Sequence, residues 1–414
     1  MKDILVIGAG PAGIMAALTA IRHGAAVKVF EKNDIVGKKL GITGKGRCNL
    51  TNACPMNDFI AHTPGHGKFL FSAYGQYTNE DLLRQLDAWG LETKVERGGR
   101  VFPTSDSAVE VRKFFYYLLR DAGVDLHLEE AVTAVRAWGE KFVVQTAQRT
   151  YEGDACIITT GGVSYPTTGS TGDGHRFAKA LGHSVTELVP SLVPFVTRED
   201  WPTTLSGMTL RNVNASLWKQ GKKLAEEFGE LQCLPHGVSG PIVLKLSAFA
   251  AHHKKCVYPM QLRINLKPAL EREQLDKRVQ RDFQKYLSLP IKDGLKDLLP
   301  HKLIPVVLAE ADIAPETVIN QVSKVQRSDL VDTLQNLSLT LTGTRPISES
   351  IVTAGGVSVK EINPKTMESK VVPNLYFAGE VIDIDAFTGG YNLQAAFSTG
   401  YVAGLTAAQK EAER

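Results

Sequence analysis

The N-terminal part of the chain alternates short apolar runs with one glycine-rich turn. Residues 2–7 predict a strand that leads directly into Gly8-Ala9-Gly10-Pro11-Ala12-Gly13, and residues 14–22 have the pattern of a helix. A second apolar strand follows and ends at Glu31. This order of strand, glycine turn, helix, strand and acid is typical of the βαβ unit that binds dinucleotides.

Each glycine of this unit has a physical reason to be there. The first permits a sharp turn, the second lets the backbone approach a pyrophosphate, and the third lets helix and strand pack closely. The helix N-terminus adds free N–H groups and the positive end of its dipole. We therefore predict that a pyrophosphate lies against Gly8, Gly10, Ala12 and Gly13, and that Glu31 binds a ribose.

Periodic patterns continue to residue 190. They predict helices over 79–89, 107–122 and 175–181, and strands over 124–128, 132–138, 141–146 and 151–159. The last of these strands runs into Thr160 and Gly161. A strand that ends in such a turn returns the chain to the cofactor crevice at the carboxyl edge of a parallel sheet.

The pattern changes after Pro190. Short strand patterns joined by turns occupy 192–197, 212–219, 222–228, 261–266 and 337–341, whereas 268–336 is almost wholly helical in pattern. We predict three parts: a nucleotide-binding domain over 1–190 plus 350–414, a β-rich domain over 191–267 plus 337–349, and a helical insert over 268–336.

The segment from residue 32 to residue 52 is rich in glycine and basic residues and has neither a helical nor a strand period. A plain surface loop seldom alternates glycines with hydrogen-bond donors, whereas an extended segment beside a polar ligand does. We predict that its polar side chains contact the cofactor, namely Lys32, Lys39, Arg47 and Asn49.

Composition narrows the class of protein. The 414 residues are 43% hydrophobic and 22% charged, as in a globular protein with a substantial core. The net charge of +3, with acids mixed through the basic helical stretch, argues against a dedicated nucleic-acid binder. We expect a small-molecule substrate and no nucleic-acid partner, while the oligomeric state stays open.

Cysteine usage and hydropathy indicate the compartment. The five cysteines form no Cys-x-x-Cys pair and no spacing typical of a metal site, so we expect reduced thiols and no metal. The chain starts at once with a strand, and no apolar run reaches the roughly 18 residues that a membrane span needs. We expect a cytoplasmic protein without a membrane segment.

The C-terminal part returns to the chemistry of the first domain. Residues 374–380 predict a strand that ends in Gly379 and Glu380, and a helix starts after Thr388-Gly389-Gly390 and runs to about Ala408. A nicotinamide dehydrogenase without flavin explains this second strand–glycine–helix poorly. A flavoprotein explains it well, because the isoalloxazine lies far from the adenine and needs supports of its own.

Several motifs, taken together, are specific enough to indicate a protein family. They are the Gly8–Gly13 turn with Glu31, the segment 44–52 (Gly-Lys-Gly-Arg-Cys-Asn-Leu-Thr-Asn), Thr159–Gly162 with Thr171-Gly172-Asp173-Gly174, and Gly379–Gln394. This set resembles the FAD-dependent flavoproteins of the aminoacetone oxidase/BaiN type, distant relatives of the fumarate-reductase flavoproteins. The resemblance extends over essentially the whole chain.

The resemblance implies a fold. It is an α/β protein with a Rossmann-like FAD-binding domain of the glutathione-reductase type 2, fumarate-reductase-like class. An inserted β-barrel-like domain carries a helical insert.

The resemblance also implies an activity. FAD is held noncovalently, and hydride passes between flavin N5 and a small or medium organic substrate. Some members reduce unsaturated ketones, with NAD(P)H as a possible transient reductant, and others are linked to amine oxidation by O2. A flavoprotein that binds RNA or a protein partner is the alternative from another class, and the basic helical segment is its only support.

Further cofactor contacts follow from the resemblance. Glu380 is similar to the acid that accepts a ribityl hydroxyl, and the first amides of the C-terminal helix would face the N1–C2 edge of the flavin. The remaining predicted contacts are Cys48, Val132, Thr160, Gly161, Gly379, Asn392, Leu393 and Gln394. Val132 is equally well explained as a core valine, and Cys48 is expected to pack near the flavin rather than to act as a redox thiol.

Two residues are candidates for catalysis. His236 lies in a His-Gly-Val-Ser-Gly-Pro turn that matches a family motif, and an imidazole suits proton transfer near neutral pH. A structural histidine at a turn is the alternative. Arg100 could anchor a carbonyl or carboxylate, and the alternative is a solvated surface arginine.

Overall fold

A computed structural model describes residues 1–253 and 256–409 of the chain. Its strands, in chain order, are β1 Asp3–Ile7, β2 Ala26–Phe30, β3 Thr51–Asn52, β4 Thr93–Val95, β5 Arg100–Pro103, β6 Asp125–His127, β7 Val132–Trp138, β8 Lys141–Thr146, β9 Thr150–Gly153, β10 Ala155–Ile158, β11 Val189–Ser191, β12 Phe195–Thr197, β13 Thr209–Lys219, β14 Lys222–Leu234, β15 Gly237–Ser239, β16 Met260–Asn265, β17 Leu337–Thr344, β18 Val352–Ala354 and β19 Leu375–Phe377.

The α-helices, in the same order, are α1 Pro11–Arg22, α2 Met56–Ala61, α3 Phe71–Gln76, α4 Asn79–Ala88, α5 Ala108–Asp121, α6 Asp173–Ala180, α7 Trp201–Thr204, α8 Pro241–His252, α9 Arg272–Lys285, α10 Ile291–Gly294, α11 Ile304–Glu310, α12 Lys324–Gln335 and α13 Tyr391–Gln409. Short 3₁₀ turns join several of them. Within the described ranges no helix is both long and apolar enough to cross a membrane.

The chain forms two compact units. The first comprises Met1–Ser191 and Pro346–Arg414, and the second comprises Leu192–Arg345. The helices α9 to α12 belong to the second unit. A separate helical insert over 268–336 stays a prediction.

A five-stranded parallel sheet organises the first unit. Its strand order is β19-β10-β1-β2-β6, so the N-terminal strand lies at the centre between strands from distant parts of the chain. β10 is apolar and buried throughout, and β1 is apolar and buried after its first residue, Asp3, as expected for a parallel sheet covered on both faces. Because all five strands run the same way, their carboxyl ends lie at one edge of the sheet.

The second unit is built on a closed barrel. Its six antiparallel strands follow the order β12-β15-β14-β13-β16-β17. Barrel residues and residues of α8, α9, α11 and α12 share one hydrophobic core, in which Leu262, Leu275 and Leu330 are fully buried. Closure leaves no free sheet edge, which removes a template for aggregation.

The structure confirms the predicted fold class and differs locally from the predicted elements. The strand predicted over 151–159 is two strands, because the chain bends at Asp154, whose N–H donates to the Asp3 carbonyl. A Cβ at Gly153 would lie 2.6 Å from Leu5, so only glycine allows the bend to pack against β1. The helix α8 was not predicted.

The prediction of an extended segment over residues 32–52 is wrong over Leu40–Gly46, which form a 3₁₀ turn. The turn is interrupted at Gly44 and Lys45, whose φ values of 58° and 59° are left-handed. A left-handed backbone closes the chain on itself rather than extending it.

Helices α1 and α13 approach each other at backbone distance. A Cβ on Gly400 would lie 2.3 Å from the carbonyl oxygen of Ala12, and one on Gly404 would lie 2.2 Å from that of Ala16. These four small residues define what we call the α1–α13 seam. The seam joins the first helix of the chain to the last.

Replacing a seam glycine should therefore destabilise the protein. We expect Gly404→Val to lower the free energy of unfolding by about 1–3 kcal/mol, the usual cost of overpacking, measured as a shift of the urea midpoint. Gly75→Ala is the matched control, because a Cβ at that helical glycine meets nothing within 4 Å. It should raise the stability by about 0.5–1 kcal/mol. Equal effects of the two substitutions would show that the seam is not tightly packed.

Candidate functional site

The candidate site lies in the first unit, where the loops that follow four adjacent parallel strands meet. These loops begin after β1, β2, β10 and β19. A Cβ at Gly8 would lie 2.7 Å from the Thr159 carbonyl oxygen, and one at Gly379 would lie 2.9 Å from the Ala12 side chain. The carboxyl edge of an open parallel sheet is the usual place for a ligand in this architecture.

The glycine turn after β1 has the shape of a phosphate cradle. Gly8 has a φ of 101°, which only glycine adopts freely. A Cβ at Gly13 would lie 1.9 Å from the Gly8 carbonyl oxygen, so this glycine lets α1 pack onto the turn. By contrast, a Cβ at Gly10 would meet no protein atom within 4 Å, which leaves open space at the helix N-terminus.

Glu31 is fixed at the end of β2 by hydrogen bonds. Its Oε2 accepts the Ala9 N–H at 2.9 Å, and its Oε1 accepts the backbone N–H of Asn33 at 2.9 Å and the Asn33 side chain at 2.6 Å. An ionised carboxylate offers about four acceptor sites, so capacity is left for a ribose hydroxyl. Asn33, which the sequence analysis did not single out, therefore orients this acid.

Glu380 follows β19 and is the second acid of the site. Its Oε2 accepts Lys39 Nζ at 2.7 Å, and its Oε1 accepts Ser164 Oγ at 3.0 Å and the Thr353 N–H at 2.9 Å. Burial alone would raise the pKa of this carboxyl, but the charge of Lys39 and these hydrogen bonds bring it below its ordinary value. Glu380 is therefore an anion in the folded protein.

Lys39 and two residues missed by the sequence analysis support this second acid. Lys39 also donates to Ser164 Oγ at 2.6 Å, and Ser164 and Thr353 are fully buried. No sequence signal marks Ser164 or Thr353, because each is a small polar residue whose importance comes only from its distant partner. Lys39 thus binds Glu380 directly, and its predicted contact with the cofactor stays a prediction.

The N-terminus of α13 forms the third part of the site. The first N–H groups of a helix, here those of Tyr391, Asn392 and Leu393, have no partner within the helix and lie at the positive end of its dipole. The Asn392 side chain holds the preceding loop through Ala386, accepting its N–H at 2.8 Å and donating to its carbonyl at 2.6 Å. The Gln394 side chain is fully buried between Thr51 and Ser398.

Two orphaned polar atoms lie in segments predicted to contact the cofactor. Asn49 Oδ1 and Thr160 Oγ1 are buried without a hydrogen-bond partner among the described residues. Such atoms are rare in folded proteins unless a ligand or water completes them. Together with the open cradle at Gly10 and the two acids, they fit a dinucleotide with a ribose at one end and a polyol at the other, as FAD has.

The structure shows the surroundings of three other residues that were predicted to contact the cofactor. Cys48 is fully buried, and burial raises the pKa of its thiol to about 12, so it is a packing residue and not a thiolate. Gly161 has a φ of 72°, and a Cβ there would lie 3.1 Å from Ser170 Oγ. Val132 begins β7 and pairs with Thr146, and its contact with adenine stays a prediction.

Two basic side chains of the 32–52 segment are engaged by protein carboxylates. Arg47 Nε lies 2.9 Å from Asp106 Oδ1, and its guanidinium also bonds Glu96 and covers the Phe102 ring. Lys32 Nζ donates to Asp173 Oδ2 at 2.7 Å. Contacts of Arg47 and Lys32 with the cofactor stay predictions.

The two catalytic candidates are both exposed. Arg100 begins β5, donates from Nε to the Arg97 carbonyl at 3.1 Å and leaves 47% of its side chain exposed. His236 lies in the turn between β14 and β15 of the second unit. Their catalytic roles stay predictions.

Cysteines and acids form no further centre in the described part of the chain. All five cysteines are free thiols. No cluster of three or more His, Cys, Asp or Glu side chains within residues 1–253 and 256–409 could hold a metal ion.

Comparison with curated proteins gives relatives over the full length of the chain. The chain is 32% identical to the 3-dehydro-bile acid delta(4,6)-reductase of Clostridium scindens, over 99% of this chain and 100% of that protein. It is 31% identical to the ribosomal RNA dihydrouridine synthase of Haemophilus influenzae, over 98% of each chain.

Solved structures support the fold. The 3-ketosteroid delta1-dehydrogenase of Sterolibacterium denitrificans matches 98% of this chain and 99% of its own, with a TM-score of 0.53 and 13% identity. A flavocytochrome c3 fumarate reductase matches 99% of this chain and 78% of its own, with a TM-score of 0.50 and 16% identity. At these identities the likeness shows a common fold, and it confirms the predicted fumarate-reductase-like class.

A family model described as the HI0933-like protein Rossmann domain matches residues 2–406. This match covers nearly the whole chain, and the full-length relative at 32% identity agrees with it. The resemblance found from the sequence motifs is thereby confirmed. The protein belongs to the HI0933-like family of Rossmann-domain proteins.

Proposed function

We propose that this protein is an FAD-dependent reductase that adds hydride to a carbon–carbon double bond conjugated to a carbonyl group of a small or medium organic substrate. NAD(P)H is the proposed reductant. It would bind transiently, because the sequence has no second complete Gly-x-Gly-x-x-Gly motif. The free thiols are consistent with a cytoplasmic enzyme.

The observation that carries the proposal is the convergence of the glycine cradle, Glu31 and Glu380 at one edge of the parallel sheet. The coarser statement, that the chain is an FAD-dependent oxidoreductase, holds by family and fold. The substrate class and the reductant are the finer statements that we propose.

The chain's own residues bind and orient the cofactor. The cradle and the N-terminus of α1 would hold the pyrophosphate, Glu31 the adenosine ribose and Glu380 the ribityl chain. The N-terminus of α13 would stabilise negative charge at the flavin edge that faces it, because the positive end of the dipole points there. When bound, FAD supplies hydride transfer at N5.

The names of these two curated relatives describe reactions that change the same kind of bond. Reduction of a 3-oxo delta(4,6) bile acid and conversion of uridine to dihydrouridine both saturate a carbon–carbon double bond conjugated to a carbonyl. In each case hydride adds to one carbon and a proton to the other. This common chemistry supports a conjugated carbonyl as the feature that the protein recognises.

Uridine in ribosomal RNA is a second candidate substrate. Two curated relatives, at 31% and 28% identity, are named for that reaction. In addition, residues 192–345 contain 21 lysines and arginines against 16 aspartates and glutamates, so that the second unit carries an excess of positive charge. This candidate departs from the expectation of no nucleic-acid partner, and salt-sensitive RNA binding would favour it.

Cofactor identity can be tested directly. We expect the purified protein to release FAD on denaturation. Glu31→Gln should weaken FAD binding by about ten-fold or more, because a charge-assisted acceptor becomes neutral while one oxygen remains for the Ala9 N–H. Isothermal titration of the deflavinated protein would measure this. Glu152→Gln, on the exposed face of β9, is the control and should bind FAD normally. Recovery of FMN, or unchanged affinity in the Glu31 variant, would contradict the assignment.

Substrate class can be tested by separating the two half-reactions. We expect NADH or NADPH to bleach the flavin under anaerobic conditions and an unsaturated ketone to restore its absorbance within the turnover time. Ribosomal RNA and O2 serve as competing oxidants, and aminoacetone as a competing reductant. If only RNA reoxidises the flavin, the second candidate is correct. If aminoacetone bleaches the flavin and nicotinamides do not, the protein is an amine oxidase.

A further inference from the structure

A histidine loop packs along the segment that leads from β19 to α13. The loop comprises residues 62–67, and the segment comprises residues 383–391. The His62 ring stacks on Tyr391 with centroids 4.4 Å apart and 12° between the planes. In addition, the Phe387 N–H donates to the His62 carbonyl at 2.8 Å. These contacts fix the loop beside the N-terminus of α13.

His66 is held at the end of this loop by a buried acid. Its Nε2 lies 3.3 Å from Asp383 Oδ2, and the two side chains are 47% and 9% exposed. Because Nε2 faces the carboxylate, Nδ1 is the nitrogen that remains for another partner on the half-exposed ring. The ring is therefore supported from within the protein and open on its other side.

The backbone at His66 restricts the direction of the ring. Its φ of 41° is left-handed, which is uncommon for a residue other than glycine. A Cβ at the following Gly67 would lie 2.9 Å from the Ile60 carbonyl oxygen, so the turn is tight and cannot relax freely. Unfavourable backbone conformations of this kind persist where the surroundings enforce them, and they are frequent at functional sites.

Asp383 belongs to a stretch of sequence that also carries parts of the proposed cofactor site. Asp383 follows Glu380 by three residues, and the segment that contains it ends at the first turn of α13. Asp383 N–H donates to the Val357 carbonyl at 3.0 Å, which anchors the acid beside the end of the sheet. In chain order, Asp383 therefore stands between Glu380, the proposed ribityl acid, and the N-terminus of α13, which is proposed to face the flavin.

We propose that His66, supported by Asp383, delivers the proton that completes reduction of the conjugated double bond. This inference rests on the proposed function. Hydride addition at the β-carbon of the substrate breaks the C=C π bond and leaves an enolate. The imidazolium N–H bond of His66 then breaks, its proton forms a C–H bond at the α-carbon, and solvent returns a proton to the imidazole.

Asp383 acts as a positioning residue in this reaction. Its carboxylate lies 3.3 Å from Nε2 and orients the ring that donates the proton. Within the described part of the chain, His236, the earlier candidate, forms no ion pair with an acid comparable to that of His66 with Asp383. Replacing His66 and His236 in turn therefore distinguishes the two candidate proton donors.

The first test separates the half-reactions by stopped-flow absorbance. Cyclohex-2-enone and a 4,6-dien-3-one steroid are the oxidants. His66→Ala should retain FAD and its rate of reduction by NAD(P)H, while reoxidation by the enone slows by about 10²–10⁴-fold, the range for loss of a general acid. Asp383→Asn should slow the same step less. His23→Gln, at the far end of α1, should behave as wild type.

The second test does not depend on turnover. 4-Chlorophenol, whose phenolate resembles the enolate, is titrated against the oxidised holoenzyme and followed through the flavin absorbance. Loss of the imidazolium should weaken its binding by about ten-fold or more in His66→Ala, since a charge-assisted hydrogen bond is lost.

The outcomes distinguish this inference from the function on which it rests. If no enone oxidises the wild-type flavin, the proposed function fails, and the phenol titration alone decides the role of His66. Equal phenol affinity in wild type and His66→Ala, or no binding by either, overturns the inference. A reoxidation rate that falls in His236→Ala but not in His66→Ala assigns the proton to His236.

Discussion

Close contact between the first and the last helix holds the nucleotide-binding unit together. Gly400 and Gly404 bring the backbone of α13 against the carbonyl groups of Ala12 and Ala16 in α1. No side chain lies between the two helices at these points, so their termini are positioned relative to each other within narrow limits. The cradle after β1 and the N-terminus of α13 belong to opposite ends of the chain, and the seam makes them parts of one site.

Hydrogen bonds and an ion pair hold the two acids at the ligand-binding edge of the sheet. Glu31 and Glu380 each accept hydrogen bonds from the protein, and Glu380 is also paired with Lys39. Because the pKa of Glu380 is lowered in the folded protein, its ion pair contributes stability above the ordinary carboxyl pKa. That contribution is lost as the pH falls through the lowered value. Glu380 therefore stays charged at neutral pH and remains an acceptor for hydroxyl groups.

Cofactor binding and substrate chemistry have different locations in the sequence. The parts that fit FAD are supplied by β1, β2, β10, β19 and the helices that follow β1 and precede the C-terminus. The proposed proton donor, by contrast, lies on a short loop between α2 and α3, whereas its acid Asp383 follows β19 on the segment that also carries Glu380. A fold does not by itself fix the substrate, and relatives of this chain carry names for different substrates.

The sequence by itself determined the parts of the site that rest on local chemistry. The strand–glycine–helix order requires close backbone approach and, at Gly8, a φ of 101° that only glycine adopts freely. It placed the cradle, Glu31 and Glu380 at strand ends. The strand and helix patterns of apolar residues predicted the parallel unit, the β-rich region and the helix-rich region. Local patterns gave these elements because each depends on residues within one turn or strand.

Only the tertiary structure decided which distant groups become partners. Ser164 and Thr353 support Glu380, and Asp383 holds His66. Arg47, predicted to contact the cofactor, lies against Glu96 and Asp106. A hydrogen bond or ion pair between residues far apart in the chain leaves no period in the sequence, because its geometry is set by strand order and helix packing.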